Sequence, residues 1–309
     1  MVVQVGISSI LLAAGRGERL RPLTDLVPKA ALPLLDVPLG RWGLRALERV
    51  APPVVVNASW LAPAVGRALG GGGVEIFVEE PEAYGTAGTL KALESRLADR
   101  VLVHNCDLVT DLDPADLLDA HRRNGAPATV AVRDVDSGAD LLHDGGRATG
   151  FVDRRLEQRP GASYIGVGVF EREVLARLDD DRPLGLGETL LKQLADTGGL
   201  AVFPHTGYRA DVGTPVSFLE TSIDVLNGRA PGPPRELPGR IVQVVGGKAY
   251  LGPGATAAGG TLGPGAIVLA GAHVRPRARV EGAVVWTGVT IASGREVRDA
   301  IALDDRDLY

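Results

Sequence analysis

Ile10-Leu-Leu-Ala-Ala-Gly-Arg-Gly-Glu-Arg-Leu-Arg-Pro-Leu-Thr-Asp-Leu-Val-Pro-Lys29 carries more chemical information than any other part of the chain. It grows out of an apolar run, Ile7 to Ala14, broken only by two serines, with the length and composition of a buried strand. The run then gives way to a glycine-rich loop. Gly15 and Gly17 remove two Cβ atoms where the chain must turn, so backbone N–H groups can approach an anion closely. Arg16, Arg19 and Lys29 place three cations on or just after the loop, and Pro22 and Pro28 stiffen the path. Phosphate is the anion that suits this chemistry. On the residues alone, a solvated basic turn between a strand and a helix stays open as the alternative.

Two commoner glycine motifs are excluded. A dinucleotide fingerprint needs a third glycine at position 20, which is Leu20, and a P-loop needs Gly-Lys-Ser/Thr at 20–22, which reads Leu-Arg-Pro. The pattern Gly-x-Gly-x-Arg-Leu-x-Pro-x-Thr-x-x-x-Pro-Lys, carried by Gly15, Gly17, Arg19, Leu20, Pro22, Thr24, Pro28 and Lys29, resembles the signature of the sugar-1-phosphate nucleotidylyltransferases. The resemblance implies an α/β, Rossmann-like enzyme that joins an NTP to a sugar-1-phosphate, with Mg²⁺ as cofactor. It also implies that Leu12, Ala14, Gly15 and Gly17 meet the nucleotide, that Arg19 faces its phosphates, and that Lys29 lies at the reacting phosphate.

At 309 residues the chain is long for a single core and fits one large domain plus a smaller one. Its 45% hydrophobic and 23% charged residues are enough to bury a core and remain soluble. A net charge of −5 offers no general attraction to nucleic acid or to an anionic membrane, so neither is an expected partner and any phosphate site must be local. The single cysteine, Cys106, excludes an intramolecular disulfide and a cysteine-based zinc cluster. With neither a signal-peptide pattern nor an apolar run approaching a membrane span, the expectation is a soluble, cytoplasmic protein.

After the loop, residues 39–49 read as an amphipathic helix with Leu39, Trp42, Leu44, Leu47 and Val50 roughly on one face. Strands at 54–56 and 74–78 flank a helix at 61–69. The alternation continues through a helix at 89–97, a strand at 101–105, a helix at 114–123 and a strand at 128–132. Repeated βα units predict a mixed, mostly parallel sheet with helices on both faces. Ligands in such folds sit beyond the carboxyl ends of the strands, where the opening loop lies.

Further segments supply polar groups. Tyr84-Gly-Thr-Ala-Gly-Thr-Leu90 follows a strand and opens a helix; its small residues would let a base or sugar lie against backbone, and the alternative is a helix start capped by Thr86. The family resemblance makes Gly85, Thr86 and Gly88 nucleotide-binding positions. His104-Asn-Cys-Asp-Leu-Val-Thr-Asp111 puts Asp107 at a strand end, where a carboxylate can hold Mg²⁺. In the family this reads Asn-Gly-Asp or a near variant, and Cys106 replaces the middle residue as a small buried side chain. Asp111 and Asp113 read as caps for the helix after Pro114.

Residues 133–163 are rich in Asp, Arg and Gly. Gly150-Phe-Val-Asp-Arg154 reads as a short strand ending in charge. The family often has Glu-Lys-Pro here, so the resemblance makes Asp153 and Arg154 sugar-phosphate ligands, with a solvated charge cluster as the alternative. Tyr164-Ile-Gly-Val-Gly-Val-Phe170 alternates as a strand in which Gly166 permits close approach of a ligand. Tyr164 stands first where the family often reads Asn-Ala-Gly. Helices near 171–178 and 187–197 lead to a strand at 200–204, and a helix from about 215 runs to about 226. Before that last helix, Asp211-Val-Gly-Thr-Pro215 resembles the family's second metal motif, making Asp211 the second carboxylate for Mg²⁺; a turn-bracing role is the alternative.

The run from Asn227 to Gly239 is too rich in proline and glycine for a helix or a central strand. Leu262, Val268, Val274, Val280, Trp286 and Ala292 then recur every six residues, the pattern of a β-helix whose coils share a core. The resemblance is to the left-handed hexapeptide-repeat domains of some family members. His273 is the only histidine after the linker, and about three coils fit. A structural, subunit-contact role is therefore expected over a second, acyl-transferring site. The expected organisation is a catalytic domain over residues 1–227, a linker over 228–239 and a short left-handed parallel β-helix over 240–309, in a homo-oligomer (dimer or tetramer) joined through the β-helix. GTP with mannose-1-phosphate leads as the substrate pair. UTP or dTTP with a hexose-1-phosphate follows, and a non-catalytic nucleotide-sugar-binding regulatory subunit is the reading of a different class.

Overall fold

A computed structural model describes residues 6–154, 156–304 and 307–308. In chain order the elements are β1 (Ile7–Leu12), α1 (Leu23–Leu26), β2 (Pro33–Leu34), β3 (Val37–Pro38), α2 (Gly40–Glu48), β4 (Val54–Ala58), α3 (Ala62–Leu69) and β5 (Val74–Val78). Then come α4 (Thr86–Leu93), β6 (Arg100–Asn105), β7 (Leu108–Thr110), α5 (Pro114–Asn124), β8 (Ala128–Val135), β9 (Leu141–Asp144), β10 (Arg147–Phe151) and β11 (Gly161–Glu171). They are followed by α6 (Arg172–Leu175), α7 (Lys192–Asp196), β12 (Leu200–Pro204), β13 (Arg209–Asp211), α8 (Pro215–Asn227), β14 (Arg240–Val244) and β15 (Gly247–Leu251). The fold is mixed α/β. Among the described residues, no helix is long and apolar enough to cross a membrane.

The elements group into two compact units, and the grouping does not follow chain order. One holds Met1–Arg16, Gly43–Leu108 and Leu112–Gly207; the other holds Gly17–Trp42, Val109–Asp111 and Tyr208–Tyr309. Asp305, Arg306 and Tyr309, within the expected C-terminal domain, lie outside the described residues.

The first unit is built on a nine-stranded sheet of order β5-β4-β1-β6-β11-β8-β12-β10-β9. The pairs β4–β5, β1–β4, β1–β6 and β8–β12 are parallel, as the βα alternation predicts. The other four neighbouring pairs are antiparallel, so the sheet is evenly mixed rather than mostly parallel. The cause lies in residues 133–163. Gly145 and Gly146, both at positive φ, let β9 and β10 close a tight hairpin, and β11 then inserts antiparallel between β6 and β8. β1 is apolar because its far end is covered on both faces: Ile10, Leu11 and Leu12 are all buried. Ile10 and Leu12 join Val101, Val103, Val130, Leu90 and Leu190 in one core cluster.

The second unit contains the β2–β3 hairpin, the two-stranded β7–β13 ladder, α8 and the C-terminal coils. The coils are parallel ladders with a repeat of seventeen residues on one side, where Leu251 pairs with Val268, Val268 with Val285 and Val285 with Ala302, while Leu262 pairs with Val280 eighteen residues on. His273–Thr290 and Arg279–Glu296 keep the seventeen-residue spacing on the other ladders. The expected six-residue period therefore slips by one. The inward positions are Val268, Val274, Val280, Val285, Ile291 and Val297, all buried in the coil interior. Trp286 instead packs on Phe218 of α8, ring centroids 5.9 Å apart, and Ala292 is exposed. The five-residue step from Val280 to Val285, turning at Gly282 (φ 57°), accounts for the slip.

Asp36 ties the hairpin to the first coil. Leu35 and Asp36 form a two-residue turn with both φ values positive (49° and 59°), the geometry that tight hairpins require and that a leucine adopts only under tertiary compulsion. The Asp36 carboxylate accepts from the Tyr250 hydroxyl and from the Ala270 N–H, both at 3.0 Å, and the Tyr250 oxygen accepts from the Gly239 N–H. Burial raises the Asp36 pKa, partly offset by these hydrogen bonds. Replacing Asp36 with Ala leaves the hydroxyl of buried Tyr250 and the half-buried Ala270 N–H without their acceptor. We expect a loss of about 2–4 kcal/mol in urea denaturation, and a smaller one for Asp36→Asn, which tolerates the turn and keeps an acceptor.

Candidate active site

In the first unit the site begins where β1 runs out. The Cys106 N–H donates to Leu12 O at 3.0 Å, which carries the β1–β6 pairing one step past the strand ends. Ala13 and Ala14 are buried, and the Ala13 N–H donates to Asn57 Oδ1 at the end of β4. Gly15 faces open space: a Cβ added there would meet nothing within 4 Å. No packing against the chain's own atoms accounts for that glycine, whereas close approach of a ligand does. The Arg16 guanidinium lies 5.9 Å from the Trp60 ring centre, a cation–π contact.

Asp107 follows β6 on the turn into β7, with Cys106 buried beside it. β11 carries a bulge between Tyr164 and Gly168, the kind of irregularity that re-aims side chains near sites. At Gly166 (φ 96°) a Cβ would stand 2.8 Å from Asn105 Nδ2, so this glycine serves its own chain's packing. The Tyr164 hydroxyl is buried and has no hydrogen-bond partner among the described residues; burial, then the charge of Asp107, raises its pKa. Asp153 and Arg154 come just after β10. Arg154 is exposed and lies 3.6 Å from Asp140, whose other oxygen accepts from Ser163 Oγ and the Tyr164 N–H.

Gly85, at φ 78°, starts α4 with no side-chain cap. A Cβ there would collide with the Leu184 backbone, and the Leu184 carbonyl takes the Ala87 N–H at 3.0 Å. Thr86 Oγ1 accepts from the Leu186 N–H at 2.8 Å, so it is not a helix cap. The 184–186 segment, which no motif marks in advance, thus lies along the Gly-Thr-Ala-Gly turn. Sequence reasoning also missed a buried polar group beneath it: Asn57, Glu79 and Thr89 hydrogen-bond to one another. The available signal was a polar residue closing each of two apolar strands, Val54-Val-Val-Asn57 and Phe77-Val-Glu79.

In the second unit Gly17 (φ 65°) continues the loop. A Cβ there would stand 2.9 Å from Thr24 Cγ2 and 3.3 Å from Lys29 Cβ, so Gly17, Thr24 and Lys29 are packed together. Thr24 Oγ1 donates to Gly17 O at 2.9 Å. Arg19 and Asp211 meet at Gly213, where an added Cβ would be 3.0 Å from Arg19 Nη2 and 3.1 Å from Asp211 Oδ1. Beyond it, Thr214 and Ser217 close a capping box on α8, and Asp113 caps α5 as expected. Among the described residues, no cluster of three or more His, Cys, Asp or Glu could hold a metal.

A cavity of about 730 Å³ in the first unit lies elsewhere. Its lining includes Arg100, the first residue of β6, Glu171, the last of antiparallel β11, and His121. It therefore sits at the amino end of β6, whereas Asp107 follows the carboxyl end, where α/β folds bind ligands.

Residues 9–197 match the model of the MobA-like NTP transferase domain. The chain is therefore an NTP transferase of that class. Its relatives narrow the class. A mannose-1-phosphate guanylyltransferase of Mycobacterium tuberculosis is 30% identical over 301 residues, covering 93% of this chain and 82% of that protein. An N-acetylmuramate alpha-1-phosphate uridylyltransferase of Neisseria meningitidis is 30% identical over 222 residues, covering 67% of this chain and 93% of the relative. A solved structure described as a glucose-1-phosphate thymidylyltransferase from Bacillus anthracis shares the fold, with TM-score 0.60 and 20% identity over 70% of this chain and 94% of that one. The chain belongs to the sugar-1-phosphate nucleotidylyltransferase family and is a nucleotidyltransferase.

Gly17 tests the packing of the loop. Gly17→Ala forces a left-handed backbone on alanine and presses a methyl against Thr24 and Lys29. We expect thermal unfolding to report a loss of about 1–2 kcal/mol and turnover to fall with it. Gly15→Ala, with open space around it, keeps the stability.

Proposed function

We propose that this chain transfers a nucleotidyl group from an NTP, with GTP leading, to a sugar-1-phosphate, with mannose-1-phosphate or a related sugar phosphate leading. The products are an NDP-sugar and pyrophosphate. The observation that carries the reading is the meeting of the Arg19 guanidinium and the Asp211 carboxylate at Gly213: a phosphate-binding cation next to a hard oxygen donor, both in the signature-loop unit. The M. tuberculosis relative's name supports the leading pair, while the uridylyl and thymidylyl names keep UTP and dTTP in the comparison.

The sugar-phosphate oxygen attacks the α-phosphorus in line. The new O–P bond forms as the bond to the bridging oxygen breaks, and pyrophosphate leaves with that electron pair. The attacking group is already anionic, so no Ser, Cys or His nucleophile is needed. Loop N–H groups from Leu12 to Gly17 and the Arg19 guanidinium hold the nucleotide phosphates, and Lys29 balances charge at the reacting phosphate. Gly85, Thr86 and Gly88 border the base and ribose. Asp153, Arg154 and Gly166 border the sugar phosphate.

Asp107 and Asp211 are the residues that would hold a divalent cation. Carboxylates suit Mg²⁺, which needs only one or two of them from the protein and takes its remaining ligands from water and substrate phosphates; among the described residues no larger His, Cys, Asp and Glu cluster competes for it. When bound, the ion supplies charge neutralisation along the phosphate chain.

We further infer that residues 1–227 form the catalytic domain, with 228–239 as linker, and that the coils from 240 onward are a left-handed β-helix through which a cytoplasmic homo-oligomer assembles. Light scattering of the full chain should return a dimer or tetramer mass; a monomer overturns the assembly.

A matrix of the common NTPs against a panel of sugar-1-phosphates, read by pyrophosphate release, tests the activity. GTP with mannose-1-phosphate is expected to give the highest kcat/KM. Lys29→Ala and Asp107→Ala should each lower turnover by roughly 10²–10³-fold while remaining folded. Wild-type turnover in either folded variant removes that residue from the mechanism, and NDP-sugar binding without pyrophosphate release from any pair identifies a regulatory subunit instead.

A further inference from the structure

We propose that Glu79 is a positioning residue for the nucleotide: from beneath the site it fixes the Gly15 loop relative to the start of α4. The proposal rests on the nucleotide-binding reading given above.

Glu79 follows β5 and is 1% exposed, so it touches no substrate itself. Its Oε1 accepts from Asn57 Nδ2 at 2.8 Å and from Thr89 Oγ1 at 2.6 Å, and its Oε2 accepts from the Tyr84 N–H at 2.8 Å. Asn57 Nδ2 also donates to Thr89 Oγ1, and Asn57 Oδ1 takes the Ala13 N–H. A hydrogen-bonded chain therefore runs from Ala13, two residues before Gly15, through Asn57 and Glu79 to Tyr84, the residue before Gly85. Thr89, one turn into α4, closes it from the side.

The chemistry of the partners explains why a carboxylate stands here. Each hydrogen bond to Glu79 comes from a donor, and only an acceptor at both oxygens satisfies all three. A glutamine in the same place has to turn an NH₂ toward one of them, and the Tyr84 N–H is the partner with no other role to switch to. A buried carboxylate at the end of an apolar sheet is costly unless it is hydrogen-bonded, and this one is held by three donors. Its neighbours make the anchor stiff. Arg182 stands 4.1 Å over the Tyr84 ring, and Phe77 meets the same ring edge-on. Moving Tyr84 thus moves Gly85, and moving Asn57 moves Ala13: both walls of the nucleotide pocket are set by one buried group. Small displacements at such supporting residues pass directly into the placement of the groups that bind ligand.

The test uses the full chain with Glu79→Gln, Thr89→Val and Thr89→Ser, the last keeping the hydroxyl. Dissociation constants for N-methylanthraniloyl derivatives of each NTP are measured alongside steady-state kinetics and thermal unfolding. Glu79→Gln and Thr89→Val should weaken nucleotide binding and raise the KM for the NTP on the order of tenfold. The KM for sugar phosphate and kcat should change less than about twofold, and Thr89→Ser should restore the wild-type KM. Wild-type nucleotide affinity in folded Glu79→Gln overturns the proposal and leaves the enzyme reading intact. Equal losses in both KM values and kcat, following a loss of folded protein, reduce Glu79 to a structural role and also overturn it. Wild-type protein that binds no NTP derivative overturns the nucleotide reading, and this proposal with it.

Discussion

At Ala13 the chain leaves β1 with a buried N–H and no neighbouring strand to receive it, and the Asn57 side chain takes it instead. Buried backbone donors are costly to leave unmade, so where this N–H is satisfied determines where the loop begins. The choice then propagates. Asn57 faces Glu79 and Thr89 with its amide nitrogen only because its oxygen is committed to Ala13, and Glu79 reaches Tyr84 only because its other oxygen is committed to Asn57 and Thr89. Three stretches of chain, at Ala13, at Asn57 and from Glu79 to Thr89, meet at one small polar cluster, and Gly15 faces open space two residues on from it.

The second unit solves a similar problem with different parts. Lys29 opens a short helical turn ending at Ala31, and the Leu32 carbonyl after it receives the Leu39 N–H across the β2–β3 hairpin. That hairpin turns through two residues at positive φ, which local sequence alone disfavours for Leu35. The turn persists because Asp36 is held by Tyr250 and Ala270 of the coils. The coils therefore act on the cation-bearing segment as well as on their own core. Gly252, where an added Cβ would stand 2.2 Å from Asp36 Oδ2, is required for this approach.

Phosphate chemistry was readable in the sequence because it is written in backbone: glycines, prolines and cations at fixed spacing, most of whose positions the structure can explain by turn geometry or open space. The strand–helix alternation was readable for the same reason, since apolar runs such as Val101–Val103 are buried whatever their neighbours. Pairing direction was not. Nothing in the apolar pattern of Tyr164–Phe170 distinguishes a parallel from an antiparallel strand; the Gly145–Gly146 turn was the one local sign that the order would reverse. The coil repeat was legible as a period and mis-set by one residue, because one five-residue side in the coil carries Trp286 outward onto Phe218. At Gly85 and Gly166 the space an added Cβ would take is filled by this chain's own Leu184 and Asn105, a packing demand that their sequence context does not reveal.

The same division separates what the site can do from what it selects. In the proposed reading nucleotidyl transfer draws on groups whose identity is fixed by charge, and Arg19, Lys29, Asp107 and Asp211 are all of that kind. Sugar choice depends on side-chain hydroxyls, amides and carboxylates meeting particular ring oxygens, and the side chains proposed for that task lie on an irregular stretch at β10 and β11. Asp140 joins Ser163, the Tyr164 N–H and Arg154 into one group, and the buried Tyr164 hydroxyl finds no hydrogen-bond partner among the described residues. A buried hydroxyl without an acceptor carries a standing cost that only a further hydrogen bond can remove. Selectivity in this protein is therefore expected to respond more to residues 140–166 than to any change in the signature loop, whose work is the same for every sugar.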